Sequence, residues 1–462
     1  MNTYHSYETY KESSIEWSDV LPTHWESVSL RWISTIYAGG TPSKTNLSFW
    51  ENGTVPWLNS GSVNQRLIIK PSTYITDQAY KNSSAKWIPK DSLVVALAGQ
   101  GKTKGMVAQL GIDSTCNQSM AAIVPNQLEY ARYLFWWLKS NYQNIRNMAG
   151  GDLRDGLNLE HLGSIQCPLP RIQESISIAA FLDHETAKID TLIEKQQQLI
   201  ELLKEKRQAV ISNAVTKGLN PDAPMKDSGV EWLGEVPEHW GVSRLGFHAT
   251  KIGSGKTPKG GAEIYQDSGV LFLRSQNVYD DGLRIAKSES VYINESIHHE
   301  MAGTSVQDGD VLLNITGGSI GRSCLVPTNF PDANVNQHVC ILRLPTSIRE
   351  FISFVMKSNS IKEQIDAFQT GGNREGLNFE QIAKLKFTLP PLNEINSIIE
   401  HIKSITVTFN TLEEQAQQAI QLMQERRTAL ISAAVTGKID VRHWVAPTTS
   451  SNTTEVQQEV SV

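Results

Sequence analysis

Lys102 and Lys104 stand in a glycine-rich run, GQGKTKG from Gly99, and Lys256 and Lys259 stand in another, GSGKTPKGG from Gly253. Glycines let the backbone come close to a phosphate oxygen, and a nearby ammonium supplies the charge. Both strings look like the loop that cradles a nucleoside triphosphate. That loop needs a further Gly five positions before the Gly of GKT. Those positions hold Ala96 and Thr250, and in the second string Pro258 follows where a helix should begin. The expectation is therefore contact with a phosphate backbone and no nucleotide site.

Other loops carry groups suited to neighbouring work. WLNSGSVNQR offers Asn59, Ser60, Asn64 and Arg66, and FLRSQNV offers Arg274, Gln276 and Asn277. Amide, hydroxyl and guanidinium groups match the donors and acceptors on base edges in a DNA groove. Lys44 closes GGTPSK and Arg322 closes GGSIGR. Lys102, Lys104, Lys256, Lys259 and Arg322 read as phosphate contacts. Asn59, Asn64, Arg274 and Gln276 read as base readers. Any one of these loops is matched by an ordinary solvated turn; the matched set is what points to nucleic acid.

No catalytic constellation accompanies them. His298-His299-Glu300 is not HExxH, and no GxSxG occurs. The Asn-Pro-Pro-aromatic string of amino-methyltransferases is absent, since Pro390-Pro391 lies between Leu389 and Leu392. The four cysteines form no CxxC pair, so neither a zinc site nor a disulfide framework is indicated. The chain reads as non-catalytic, with no metal or cofactor of its own.

The loops come in pairs because the chain is written twice. SSIEWSDVLPTHW from Ser13 returns as SGVEWLGEVPEHW from Ser228. GGDLRDGLNLE from Gly150 returns as GGNREGLNFE from Gly371, and EKRQAVISNAVTKG from Glu205 as ERRTALISAAVTGK from Glu425. Such a period is far longer than a solenoid unit and marks a duplicated domain pair. Trp17 and Trp25 return as Trp232 and Trp240, which casts these tryptophans as residues that seat the domain and not as base stackers.

Two stretches must position the loops. Arg171 to Lys217 and Leu392 to Thr436 contain neither Gly nor Pro. Each follows a Pro-marked turn and stops at glycine, Gly218 or Gly437. Glu174 and Glu394 sit in the opening turns, as the helix dipole favours. The apolar spacing is that of a coiled coil. Leu182, Ile189, Leu203 and Val210 share one frame, and Ile193, Ile200 and Ala214 the other. In the second stretch Phe409, Met423 and Leu430 share one frame, and Ile420 and Ala434 the other. Gln196, Arg207, Glu413 and Arg427 interrupt the seam, where polar residues fix register at some cost in stability.

The organisation that follows is an α+β pseudo-two-fold duplication: two mixed α/β domains separated by two long antiparallel coiled-coil helices. The first domain spans residues 1–150 and its helix 151–220. The second domain spans 221–372 and its helix 373–446. A small polar tail, 447–462, reads as disordered. DSLVVALAG from Asp91 and GDVLLNITGG from Gly309 read as core strands, with NQSMAAIVP and NQHVCILRLP as their neighbours.

Net charge is −6, with +3 in residues 1–150 and −5 in residues 221–372. A nucleic-acid binder of this composition relies on local basic loops and not on a whole-surface field. No apolar run is long enough to cross a bilayer, and the first residues lack an apolar signal core, so a cytoplasmic protein without membrane contact is expected.

The duplicated EW…P.HW motif, the GTP loops, the GG…GL turn, the LPxxxE helix start and the RxxxIxxAVT helix end together resemble the specificity subunits of type I restriction-modification systems, the HsdS family. The resemblance covers nearly the whole chain. It implies two target recognition domains, each reading one half of a split sequence in double-stranded DNA. It implies helices that set the spacer and dock two methyltransferase (modification) subunits, with restriction/translocase subunits joining them. S-adenosylmethionine, ATP and magnesium would then belong to those partners. The alternative is a coiled-coil scaffold that pairs proteins without reading DNA, a reading that the −5 segment favours.

Overall fold

A computed structural model describes residues 4–99, 102–149, 156–369 and 376–446. The repeated glycine-containing segments 150–155 and 370–375, residues 1–3 and 100–101, and the segment 447–462 lie outside the described residues. The chain packs as two compact units, Met1–Lys195 with Ala419–Val462, and Gln196–Gln418. Each unit thus takes one recognition domain, one half of its own long helix and one half of the other.

In the first unit the fully buried strand Leu93–Ala96 lies between Met120–Pro125 and Val107–Leu110, antiparallel to both. Ser34–Ala38 and Leu67–Ile68 complete this five-stranded sheet at its edges. A smaller sheet orders Thr115–Cys116, Val55–Leu58 and Thr73–Ile75. Runs such as Leu93-Val94-Val95-Ala96 are apolar on every residue because both faces of the strand are covered. Val95 pairs with Ala121, so the two strings read as neighbours in sequence are neighbours in space.

The second unit repeats the plan. Val311–Asn314 lies between Val339–Arg343 and Ser323–Leu325, with Lys251–Ser254 at the edge. Leu313 pairs with Cys340. Tyr292–Ile293, Val270–Leu273 and Ala333–Val335 form the smaller sheet. In each copy the strand after the His-Trp motif pairs with the strand just before the long helix, Glu26–Ser29 with Gln166–Leu169 and Gly241–Arg244 with Lys386–Leu389. This clips the two ends of each domain together.

The long helices run Ile172–Lys217 and Leu392–Val435. In the first unit Phe181, Leu182 and Ile189 share a core with Leu430, Ile431, Ala434 and Val435. In the second, Ile211, Ala214 and Val215 share one with Ile395, Ile398 and Ile402. Start meets end in both units, so the helices are antiparallel. Along the first helix the covered positions alternate by four and three residues: Leu182, Thr186, Ile189, Ile193, Gln196, Ile200, Leu203, Arg207, Val210, Ala214. Phe409, Glu413, Ala416, Ile420, Met423, Arg427 and Leu430 continue that rhythm on the second. This is the knobs-into-holes period.

The polar seam residues find partners. In the first unit Arg427 Nη1 lies 2.5 Å from Asp190 Oδ1. In the second, Arg207 Nη1 donates to Asn410 Oδ1 at 2.8 Å and lies 3.4 Å from Glu413 Oε1. The last carbonyls are also satisfied in parallel. Tyr133 Oη donates to Val435 O at 3.0 Å, and Thr388 Oγ1 donates to Val215 O. Among the described residues no helix is long and apolar enough to cross a membrane.

Candidate nucleic-acid interface

The GTP loops leave the edge strands at matched places, and each is tied down by the same contact. Thr41 Oγ1 donates to Gln118 Oε1, and Thr257 Oγ1 donates to Gln337 Oε1. A Cβ on Gly39 would run into the Cys116 carbonyl, and one on Gly255 into the Val335 carbonyl. The glycines are therefore required by close backbone crossing. Lys44, Lys256 and Lys259 stand exposed on these loops. Gly253 and Ser254 of GSGKT belong to a strand paired with Val339–Arg343 and not to a phosphate-cradling turn.

The next loops are short 3-10 turns, Ser60–Asn64 and Ser275–Asn277. Asn59 Oδ1 accepts from Gly61 N at 2.9 Å, and Asn64 Nδ2 donates to Gly61 O at 2.9 Å. Both amides remain exposed, and Ser60 is half-buried. Gln276 is exposed, while Arg274 is half-buried with Nη2 donating to Glu289 O at 3.3 Å. Lys102 and Arg322 are exposed on the third pair of loops. Arg322 lies over the Tyr279 ring, 4.9 Å from its centroid, and Arg284 lies over the same ring at 4.8 Å. Arg284 was not singled out by its sequence context.

Three expected contacts are redirected by the tertiary structure. Lys104 is only 4% exposed, beside Gly105 whose φ of +85° folds the loop back. Asn277 is 1% exposed; it accepts from Arg274 N and donates to Arg284 O and Glu289 O, so it organises the loop from inside. Arg66 turns toward the first long helix, with Nη1 3.3 Å from Asp190 Oδ2 and Nη2 donating to Thr186 Oγ1 at 3.0 Å. Burial, and then Arg132, lower its pKa.

Asn64, Arg66 and Lys102 do meet. With Phe135, Lys139 and Tyr142 they line a cleft of about 360 Å³ in the first unit. Arg66 lies 4.7 Å from the centroid of the Trp136 ring and Lys139 Nζ 5.2 Å from it. Burial, then Arg66 and Arg427, bring the Lys139 ammonium down to about 8. Lys139 stands in no recognisable motif, apart from Lys139-Ser140-Asn141, which returns as Lys357-Ser358-Asn359.

The four thiols are buried, and burial pushes Cys116, Cys324 and Cys340 up to about 12. They pack in the domain cores.

The sequence pattern described as the type I restriction modification DNA specificity domain matches residues 22–202 and again 237–422. The chain is 21% identical to the EcoKI specificity subunit of Escherichia coli K12 over 447 residues, 92% of this chain and 91% of that one. It is 29% identical to the EcoR124I/EcoR124II specificity subunit of Escherichia coli over 232 residues, about half the length of each (49% and 49%). Among solved structures, a chain from a type I R-M system studied for complex assembly and conformational transition superposes with a TM-score of 0.70 at 15% identity, covering 91% of this chain and 99% of that one. The HsdS subunit of Thermoanaerobacter tengcongensis superposes at 0.51, also at 15% identity, covering 91% and 98%.

Proposed function

The chain belongs to the type I restriction-modification DNA specificity family, and from that membership we propose that it directs a modification and restriction complex to a bipartite DNA target. Each recognition domain reads one half-site, and the paired helices hold the half-sites at a set spacing. The observation that carries this reading is the double occurrence of one domain with matched exposed cations, Lys44 and Lys102 in one copy, Lys256, Lys259 and Arg322 in the other. Asn59, Asn64, Arg274 and Gln276 are the base readers in this reading, with Ser60 beside them. The scaffold alternative offers no reason for the paired loops and falls with the family assignment.

Two methyltransferase subunits are the partners that the helices suit. Both helices bury one seam and expose a second set of leucines at matched positions, Leu192 with Leu412 and Leu202 with Leu422. Leu202 is 61% exposed and Leu422 65%. Repeated exposed apolar side chains on a helix are what a partner helix covers. A restriction/translocase subunit joins that assembly. S-adenosylmethionine, ATP and magnesium chemistry belong to these partners, and the complex works in the cytoplasm.

The test is a domain exchange. Residues 221–372 are replaced by the matching segment of a relative, and the methylated sequence is read from the genome of cells that also carry the modification subunit. One half-site is expected to change and the other to persist. Simultaneous change of both would end the modular reading.

A further inference from the structure

The duplication supplies an internal comparison. Lys139 and Lys357 occupy the same place in the two copies, each opening the repeated Lys-Ser-Asn, and both are half-buried. Each faces the turn that follows the first recognition loop. From Trp57 and Phe272 the two loops run in step without a gap, so that Val63 matches Val278, Gln65 matches Asp280 and Arg66 matches Asp281. At these positions the second copy carries two carboxylates that favour the ammonium of Lys357, while their ion pairs run to Lys362 and Arg284. The first copy presents an amide and a guanidinium.

The surroundings of Lys139 do not make up the difference. Arg66, Arg132, Lys139 and Arg427 gather around Trp136 and the first long helix, facing only Asp183 and Asp190. Asp183 is committed to Arg132 and Asp190 to Arg427 and Arg66. Among the described residues neither Lys139 nor Lys357 has a carboxylate oxygen within 4 Å, and Lys139 has the two arginines Arg66 and Arg427 nearby as well. Arg66 Nε is buried without a hydrogen-bond partner. The cleft that opens here adds Lys102 at its rim, and among the described residues no acidic side chain lines it. Four half-buried cations sharing two carboxylates leave room for an anion from outside.

We propose that Lys139, Arg66 and Lys102 form a phosphate-binding cleft, and that a backbone phosphate of the bound duplex enters it. The cleft rests on the DNA-reading role already assigned to the chain and adds to it a site on the side of the recognition loop nearest the helices. Asn64 and Gln65 line the same cleft and sit next to the phosphate. The two domains then grip DNA differently: the first through an anion drawn into the protein, the second through exposed cations alone.

Lysine acylation of the full chain, read by mass spectrometry, tests the cleft directly. Lys139 reacts readily with an amine acylating reagent while the cleft is open. Duplex DNA, at a concentration that shifts the chain in a gel, is expected to slow its acylation about tenfold while leaving Lys357 unchanged. Inorganic pyrophosphate at equal phosphate concentration is expected to give no protection. Lys139→Met is expected to reduce the slope of log affinity against log salt by about one unit for every duplex tested. A chain that shifts with DNA while Lys139 acylates at its free rate would overturn the cleft and leave the recognition role standing. Equal protection by pyrophosphate would assign the cleft to a free phosphate compound and overturn the DNA source.

Discussion

Trp25 donates its indole N–H to Glu174 Oε1 at 3.0 Å, with both residues buried at the start of the first long helix. The same carboxylate accepts from Tyr7 Oη at 2.5 Å and lies 2.9 Å from His24 Nε2. The bond recurs in the second copy, where Trp240 donates to Glu394 Oε2 at 2.9 Å and His239 Nε2 lies 2.7 Å from Oε1. The repeated His-Trp motif and the repeated Glu of each helix start are thus two halves of one joint between domain and helix.

Glu174→Ala is expected to destabilise the protein more than Glu394→Ala. The first substitution leaves a buried indole N–H and the Tyr7 hydroxyl without an acceptor, at about 1–3 kcal/mol each. Burial and the bond to Glu174 already hold the Tyr7 phenol far above its ordinary range. At Glu394 the carboxylate and His239 are more exposed, so water can replace the carboxylate, although Trp240 is buried like Trp25. Thermal unfolding of the two variants compares them; an equal loss would show that the joints carry the same load.

Asp190 is expected to matter more than either arginine that it holds. Asp190→Ala strips the acceptor from Arg427 and Arg66 together and leaves Lys139 beside two arginines that have lost their carboxylate. Arg427→Leu removes one partly exposed ion pair and places an apolar side chain on the seam, a change worth within about 1 kcal/mol either way. Denaturant midpoints of the two variants should separate clearly, with Asp190→Ala the lower.

Lys139→Met is expected to stabilise the protein near pH 7. Burial first, with Arg66 and Arg427 added, lowers the lysine to about 8. The unfolded chain therefore binds the extra proton between about pH 8 and the ordinary lysine range, and the lysine's penalty is full below that window and fades as pH rises through it. Melting curves of wild type and variant should differ most at pH 7 and converge toward pH 10. A difference independent of pH would place the effect in packing.

The helices are expected to act as a measured spacer. Seven residues inserted after Gln196 and seven after Ala416, positions matched by the repeat, preserve the seam because they add whole heptads. Each helix gains about 10 Å, or about three base pairs of DNA at ~3.4 Å each. Methylome sequencing of cells carrying this variant should return both half-sites with a longer unread gap. Active protein with the original gap would remove the spacer role from the helices.

Much of the molecule was determined by the sequence alone. The duplication, the two breaker-free helices, the core strands and the seam positions follow from periodicity, since spacing of 3.5 or 2 residues decides which side of an element is covered. The outward loops bearing Lys44, Lys102, Lys256, Lys259 and Arg322 follow from glycine content and charge. The tertiary structure decided where the polar loop side chains point. Arg66 reads like Arg322 in sequence, yet Asp190 and Thr186, more than a hundred residues away, draw it to the helix. Lys104 and Asn277 are turned inward by the backbone of their own loops. Lys139 carries no motif, and its setting comes from Arg66, Arg427 and Trp136, which are brought together only by the fold. A loop residue has no fixed periodicity, so its direction is set by long-range partners, and those are absent from local sequence.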